Sequence, residues 1–244
     1  KIDNIFWIID LSEGIDLNLF LLRKFEPEIL DTAKILAIKS KNKNILDIGA
    51  NIGVHTLQFA KNFKDKKIHS IEPTSYCFKK LKKNLSINPF LNKNVKTYKL
   101  FIKSKKTFIP KNVYSSWKLN TSNLNHPQHF GFKKSIGGSK SCGLDFFIKK
   151  NKINDICFIK LDVDGHELSI LKSGHKILKK KVPIIMELAP YLYPEYNYNF
   201  NDLINLIKKY NYKFYSLNPI IKISDINNFT RSIKDGSSVN ILIK

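Results

Sequence analysis

Apolar runs alternate with helical patterns from residue 44 onward, and this alternation predicts strands joined by helices. The apolar runs predict strands at 44–49, 67–72, 95–102, 156–162, 183–189, 212–217 and 238–243. The helical patterns predict helices at 52–63, 75–87, 143–151, 166–180 and 200–210. Such βαβ units favour an α/β fold with a mostly parallel sheet. The long connection before the final strand suits an antiparallel last strand.

Two regions interrupt this alternation. Residues 1–40 predict one or two helices laid against the sheet edge, as an N-terminal helical extension of a domain at 41–244. Between 103 and 142 no period is sustained, and such a long irregular insert is usually functional or disordered. A mobile surface loop and a lid or substrate loop both fit. The second alternative is suggested by three side chains, Trp117, His126 and His129.

Length and hydropathy favour one soluble domain. The chain has 244 residues, 43% of them hydrophobic, which is enough to bury a core. No apolar run approaches the roughly 18 residues of a membrane span. Because the chain begins at Lys1 and its only methionine is Met186, we interpret it as trimmed or as part of a longer product.

Charge and cysteine content narrow the function only slightly. The net charge of +22 could attract nucleic acid, but the lysines are spread along the whole chain and only two of the 42 basic residues are arginines. We therefore favour compositional drift over a nucleic-acid groove. The three cysteines, Cys77, Cys142 and Cys157, form no CxxC pair, which is typical of thiols in a reducing compartment, so we expect a cytoplasmic protein.

The stretch NILDIGANIGV predicts a ligand-binding turn after the first strand. Asp47 ends the strand, and Gly49, Asn51 and Gly53 follow at the start of a helix, at the sheet edge where open α/β folds bind ligands. A dinucleotide site would show G-x-G-x-x-G, whereas this spacing is G-x-x-x-G. An acid beside the turn suits a cationic ligand better than a pyrophosphate. The turn therefore indicates S-adenosylmethionine, which carries a sulfonium and an ammonium.

The next strand ends in HSIEP and places Glu72 about 20 residues beyond the turn. A carboxylate there can accept two hydrogen bonds from vicinal ribose hydroxyls. Glu72 alone does not separate NAD from S-adenosylmethionine, but the turn does.

A second informative stretch is DICFIKLDVDGHELSILKSG, residues 155–174. Asp162 ends an apolar strand and should point into the same crevice as the turn, where it could order the methyl acceptor or the cofactor. Asp164 and Glu167 are three positions apart at a helix start, so they could instead cap that helix.

In order and spacing, LDIGANIGVHTLQFA, IEP, FIKLDVDGHELSILKSG and PIIMELAPYLYPE resemble the FkbM family of S-adenosylmethionine-dependent methyltransferases. The resemblance implies a doubly wound, seven-stranded sheet with a reversed last strand, and methyl transfer to oxygen of sugars, glycolipids or polyketides. It implies a cofactor framed by Asp47, Gly49, Ala50, Asn51 and Gly53, with Glu72 on its ribose and Asp162 in the catalytic crevice. The sequence departs from the family at LFIKSKK, which lacks the acidic or small polar residue often found where adenine docks.

A hydroxyl acceptor must lose its proton, so we expect a positioned base. The candidates are Asp162, His166 and Glu187, with His126 or His129 if the long loop folds inward. Asp162 and Asp164 could bind a divalent cation, but no third ligand is evident, so no metal is expected.

Three other functions are alternatives to this one. A base amino-methyltransferase would show N-P-P-Y or a close variant after the fourth strand, where this chain has D-V-D-G. RNA ribose methylation stays open, because it needs only a hydroxyl and a basic groove. An inactive cofactor-binding protein of the same fold is disfavoured by the intact turn.

Overall fold

The computed structural model describes residues 1–115, 119 and 131–244. Its first half contains, in chain order, α1 (Gly14–Leu22), α2 (Pro27–Ile38), β1 (Asn44–Ile48), α3 (Val54–Asn62), β2 (Lys67–Ile71), α4 (Ser75–Ser86), α5 (Pro89–Asn92), β3 (Val95–Tyr98), β4 (Leu100–Ile102) and β5 (Asn112–Ser115). Its second half contains β6 (Phe132–Ser135), β7 (Lys140–Cys142), α6 (Leu144–Lys150), β8 (Ile156–Leu161), α7 (Glu167–Lys172), α8 (His175–Lys179), β9 (Ile184–Leu188), a 3₁₀ helix (Pro190–Tyr196), α9 (Phe200–Lys209), β10 (Phe214–Ser216), β11 (Lys222–Ile223), α10 (Ile226–Arg231) and β12 (Val239–Ile243).

The main sheet of the described residues has the order β11-β10-β12-β9-β8-β1-β2-β3. Strands β3, β2, β1, β8 and β9 run parallel, and β12 is antiparallel to both of its neighbours, which confirms the reversed last strand. The predicted number of seven strands was wrong. The eighth is β11, whose two residues pair with β10 and are too few to give an apolar pattern.

The predicted strand at 95–102 is divided at Lys99. β3 stays in the main sheet, whereas β4 pairs in parallel with β7 in a separate two-stranded sheet. The Lys99 ammonium donates to the carbonyl of Gly137 at 2.6 Å and to Ser75 Oγ at 2.9 Å, and these contacts hold the chain where it leaves the main sheet.

The insert at 103–142 is less irregular than predicted. Its described ends form an antiparallel hairpin of β5 and β6, and Val113 and Ile136 pack on Phe101 in a small apolar cluster. Strands this short leave no sustained period in the sequence. The side chains on which the lid alternative depended, Trp117, His126 and His129, lie outside the described residues.

The predicted helix at 166–180 is divided into α7 and α8 at Ser173 and Gly174. The break lets Ser173 cap the start of α6: its hydroxyl accepts from the Leu144 N–H at 2.9 Å, and its carbonyl accepts from the Asp145 N–H at 3.1 Å. A tertiary contact therefore overrides the local helical pattern.

The N-terminal helix α2 packs on a face of the sheet, not on its edge as predicted. Ile29, Ala33 and Ala37 recur at intervals of four residues and pack in one apolar cluster with Phe158 of β8 and Ile185 of β9. This stripe is apolar enough to cover the middle of the sheet. The division of the chain at residue 40 stays a prediction.

Helices cover both faces of the sheet, as predicted for a doubly wound fold. One core cluster includes α7 and α9, and the opposite cluster includes α2 and α3. None of the helices among the described residues has the length and apolar character needed to cross a membrane.

Candidate active site

A cleft of about 1030 Å³ opens at the carboxyl ends of β1, β2, β8 and β9. Open α/β sheets bind ligands at this edge, and the volume lies at the upper end of the roughly 300–1,000 Å³ typical of ligand pockets. Seven of the predicted site residues line it: Gly49, Ala50, Asn51, Glu72, Asp162, His166 and Glu187. The cleft therefore brings together most of the predicted site.

The turn after β1 depends on Gly49. The N–H groups of Gly49 and Ala50 both donate to the carbonyl of Ile71 at 3.0 Å, which pulls the turn against the end of β2. Gly49 has φ +83°, and a side chain at this position would collide with the carbonyl of Asp162. Gly53 has φ +93° and precedes α3 without lining the cleft, so its predicted place beside the cofactor is not found.

Asn51 connects the turn to the next strand. Its N–H donates to Glu72 Oε2 at 2.9 Å, and its side-chain amide donates to Ser115 Oγ at 3.4 Å. Its side chain does not cap α3. Its Oδ1 is buried and has no hydrogen-bond partner among the described residues. Because buried polar atoms are rarely left unpaired, this oxygen indicates a place for a donor group of a ligand.

Glu72 is buried at the end of β2, and three protein hydrogen bonds already occupy its carboxylate. Besides Asn51, the N–H and hydroxyl of Thr74 donate to Oε1 at 2.8 and 2.6 Å. Burial raises the pKa of Glu72, although these hydrogen bonds oppose the shift. A carboxylate has about four acceptor positions, so one is left for a ligand rather than the two predicted for a ribose.

Asp47 lies beneath the cleft and does not line it; the cofactor role expected for it stays a prediction. Its carboxylate accepts from the Thr56 hydroxyl at 2.5 Å, and its other oxygen lies 3.8 Å from the ammonium of Lys160. The strand buries this side chain completely, so a cofactor in the cleft would meet its charge only through Lys160 and the turn.

Lys160 is a buried residue whose role the sequence interpretation missed. Its ammonium lies 2.9 Å from Asp162 Oδ2 and donates to the Gly49 carbonyl at 3.2 Å. Burial alone would lower the pKa of Lys160, but Asp162 and Asp47 raise it above its ordinary value, so the lysine is charged. The available signal was a lysine inside the apolar strand sequence ICFIKL.

His166 lines the cleft between Phe101 and Tyr196, with ring centroids 5.1 and 4.2 Å away. Burial lowers its pKa to about 4, so the ring is neutral at pH 7. Its Nε2 is buried without a hydrogen-bond partner among the described residues. His166 can therefore offer one polar atom to a ligand within an aromatic wall.

The helix cap predicted for Asp164 is not present, because α7 begins after His166 without a side-chain cap. Glu167 instead accepts weakly from the N–H groups of Gly165 and Val163, at 3.3 and 3.4 Å. Burial raises the pKa of Glu167 to about 7 and raises that of Asp164 well above its ordinary value.

Glu187 lies near the end of β9 and lines the cleft. Burial and the charges of Asp162 and Asp164 raise its pKa well above the ordinary value. Its carboxylate hydrogen-bonds Ser238, in the segment before β12.

The cleft is acidic although the chain as a whole is strongly basic. Seven carboxyl side chains line it, against two lysines, Lys24 and Lys160: the acids are Glu26, Glu28, Glu72, Asp162, Asp164, Glu187 and Asp235. Among the described residues, no three or more histidine, cysteine or acidic side chains are placed to hold a metal ion. Acidic side chains outnumber lysines in the cleft, and this suits a cationic cofactor.

His55 and Glu26 are two further cleft residues that the sequence interpretation missed. His55 lies in the first turn of α3, and its Nε2 lies 3.0 Å from Glu26 Oε2. Asn240 of β12 donates to the other carboxylate oxygen at 3.1 Å. No sequence pattern connects these three positions, because they come together only when α2 and α3 pack beside β12.

Comparison with known proteins gives a family match for most of the chain. The sequence profile described as Methyltransferase FkbM domain matches residues 47–214. Among curated proteins, the chain is similar to Methyltransferase sdnD of Sordaria araneosa, with 22% identity over 194 residues that span 67% of this chain and 74% of that protein.

Among solved structures, the chain is similar to the O-methyltransferase from Bacillus cereus in complex with SAH, with 12% identity and a TM-score of 0.49, covering 90% of this chain and 80% of that chain. It is also similar to an rRNA methylase from Streptococcus thermophilus, with 12% identity and a TM-score of 0.45, covering 90% of this chain and 96% of that chain. These likenesses concern the fold alone.

Proposed function

The chain belongs to the FkbM family of S-adenosylmethionine-dependent methyltransferases, and on this premise we propose that it methylates a hydroxyl group of a sugar, glycolipid, polysaccharide or related small metabolite. The observation that supports this most is the acidic cleft beside the glycine turn. Carboxylates accept hydrogen bonds from hydroxyl groups, and they attract the positive charge of the cofactor.

Two residues fit the cofactor on the evidence of their own contacts. Asn51 has a buried oxygen without a partner among the described residues, and Glu72 has one acceptor position left. When bound, S-adenosylmethionine supplies a methyl carbon that its sulfonium has already activated. The tasks left to this chain are alignment, exclusion of water and removal of the acceptor's proton.

The acceptor would be ordered by the residues at the ends of β8 and β9. Asp162 is partly exposed to the cleft and is held by Lys160, while Glu187 and His166 line the cleft nearby. We propose that these three side chains contact the acceptor. The aromatic rings beside His166 would exclude water from the reacting oxygen.

The charge of the cleft disfavours RNA as the acceptor. A groove for nucleic acid places lysines and arginines along the phosphate backbone. Here the lysines lie over the whole chain, whereas the cleft contains seven acids and two lysines. A phosphate chain brought to this cleft would meet like charge.

The experiment that tests this function incubates the protein with labelled S-adenosylmethionine and separate glycolipid, polysaccharide, small-metabolite and RNA fractions. We expect label in a hydroxyl-bearing glycan or metabolite fraction, as an alkali-stable methyl ether. Label in RNA alone would overturn the assignment of the acceptor. Failure of calorimetry to detect binding of either S-adenosylmethionine or S-adenosylhomocysteine would overturn the enzyme assignment.

A variant of Asp162 tests whether this residue acts on the acceptor or binds the cofactor. Asp162→Asn should lower turnover more than it lowers affinity for S-adenosylhomocysteine, because the residue is proposed to order the acceptor. Asp202→Asn is the matched control, since Asp202 is an exposed acid at the start of α9, outside the cleft-lining residues. A larger effect of Asp162→Asn on cofactor affinity than on turnover would make Asp162 a cofactor ligand.

A further inference from the structure

His55 and Glu26 form a buried histidine–carboxylate pair on the wall of the cleft. His55 is 4% exposed, and its ring packs between Phe25 and Phe59, with centroids 5.8 and 6.0 Å away. Its Nε2 meets Glu26 at 3.0 Å, and its Nδ1 is buried without a hydrogen-bond partner among the described residues. One ring nitrogen is therefore held by Glu26, and the other has no hydrogen-bond partner in the described part of the chain.

The charge of Glu26 determines which ring nitrogen bears the hydrogen. Burial would raise the pKa of Glu26, but the hydrogen bond from His55 and the charge of Lys160 lower it. Glu26 is therefore ionised at pH 7 and can only accept hydrogen bonds. His55 then donates from Nε2, and in this tautomer the lone pair of the ring is on Nδ1. Asn240 holds the other carboxylate oxygen and keeps this arrangement in place.

Asn240, which donates to Glu26, is the register partner of Glu187 in the pairing of β12 with β9. The pair therefore lies at the end of the cleft that contains Glu187. Glu28 also faces the pair, because it accepts from the same Asn240 amide at 3.3 Å.

We propose that His55, oriented by Glu26, is the base that accepts the proton of the acceptor hydroxyl; this inference rests on the proposed O-methylation. As the acceptor oxygen forms its bond to the methyl carbon, the carbon–sulfur bond breaks and its electron pair stays on sulfur. The hydroxyl proton moves to Nδ1 of His55. The imidazolium so formed is stabilised by the Glu26 carboxylate and releases its proton to water after the product leaves.

The sequence-predicted bases are less suited to this step. The carboxylate of Asp162 already has a partner, because it is paired with the ammonium of Lys160 at 2.9 Å. No hydrogen bond to a carboxylate orients the ring of His166 among the described residues. Burial and the charges of Asp162 and Asp164 raise the pKa of Glu187, and in our proposal Glu187 is a hydrogen-bond partner of the acceptor.

Glu26→Gln is the sharpest test, because Asn240 determines which way the new amide faces. The Asn240 donor requires the amide oxygen on its side, so the amide nitrogen faces His55 and donates to Nε2. The ring hydrogen then moves to Nδ1 and blocks the base. We expect methyl transfer to fall by about 10²–10⁴-fold, the usual range for a general base, with S-adenosylhomocysteine affinity within about twofold of wild type.

A second readout does not depend on the acceptor. In a protein with ¹⁵N-labelled histidine, NMR should show His55 as the Nε2–H tautomer in wild type and as the Nδ1–H tautomer in Glu26→Gln. His55→Gln identifies the signal by its loss. His69→Gln is the matched control: both ring nitrogens of His69 already have partners, Tyr98 and Asn44 at 3.0 Å, so methyl transfer should persist.

Three results would overturn the proposal. One is an Nδ1–H tautomer of His55 in wild type. Another is full methyl transfer by Glu26→Gln. This result overturns the proposal even if His55→Gln does not fold. The third is a loss of S-adenosylhomocysteine affinity as large as the loss of turnover, which would make the pair a cofactor contact. A wild-type protein that labels no hydroxyl would instead contradict the proposed function.

Discussion

The ammonium of Lys160 lies 2.9 Å from a carboxylate oxygen of Asp162 at the base of the cleft. The same ammonium lies 3.8 Å from Asp47 and donates to the carbonyl of Gly49. One buried cation therefore connects β1, the glycine turn and the end of β8, which all border the cleft.

Replacing Lys160 with methionine should destabilise the fold. The change leaves Asp47 buried without its cation, and removing one partner of a buried ion pair typically costs about 3–5 kcal/mol. Urea unfolding measures the loss. Lys34→Met is the matched control, because Lys34 pairs with Asp31 in an exposed position, and it should stay within about 0.5 kcal/mol of wild type. Equal stabilities for the two variants would contradict this account.

Glu72→Ala should weaken cofactor binding. The variant removes the acceptor proposed for the cofactor and frees the Asn51 N–H that shapes the turn. We expect a loss on the order of 1.5–3 kcal/mol, the scale of a hydrogen bond to a charged group. Calorimetry with S-adenosylhomocysteine measures it, with Asp65→Ala as an exposed acidic control. Unchanged affinity would remove Glu72 from the site.

Gly49→Ala should damage both the fold and the cleft. The residue has φ +83°, and the new methyl group would meet the carbonyl of Asp162, which is backbone and cannot rotate away. We expect a clear drop in melting temperature together with loss of cofactor affinity. Gly137→Ala is the control, because its φ is ordinary and the methyl group would meet only the Ser135 hydroxyl. A Gly49→Ala protein as stable as this control would contradict the close approach of Gly49 to the carbonyl of Asp162.

Glu167 should make the protein less stable as the pH rises towards neutrality. Its pKa in the folded protein is about 7, above the ordinary 4.5, so the folded state keeps a proton that the unfolded chain has released. Between these values the free energy of unfolding should fall with pH, by up to about 1.4 kcal/mol per unit from this group, and this contribution should level off above about pH 7.

Glu167→Gln tests that pH dependence, because glutamine does not ionise. Urea unfolding at about pH 5 and about pH 7.5 should show a smaller decline for the variant than for wild type. Asp164 and Glu187 also have raised pKa values, so some decline should persist in the variant. If the free energies of unfolding of the two proteins changed equally with pH, Glu167 would not have the raised pKa described here.

The main sheet was predictable because each of its longer strands is a local apolar run. The positions of β1, β2, β8, β9 and β12 follow from such runs, and so does the reversed direction of the last strand. The strand breaks did not follow from the sequence. They depend on partners distant in the chain, such as the contact of Lys99 with Gly137.

The site was predictable where the glycine turn determines which residues become neighbours. Gly49, Asn51 and Glu72 lie together as expected because the turn and the next strand end are neighbours in any parallel sheet. The burial of Asp47 was not predictable, since it depends on which way the strand faces. The pairing of His55 with Glu26 was not predictable either, because a packed N-terminal helix brings the two residues together.

The parallel pairing of β4 with β7 has an evolutionary consequence. This pairing brings the two ends of the 103–139 segment together outside the main sheet. Residues can therefore be inserted in this segment without changing the register of any main-sheet strand. Each doubling of a flexible loop costs only about 0.6 kcal/mol. The hairpin within this segment contributes Val113 and Ser115 to the cleft wall. Relatives of this chain could therefore diverge in acceptor preference at this one segment while they keep the cofactor turn.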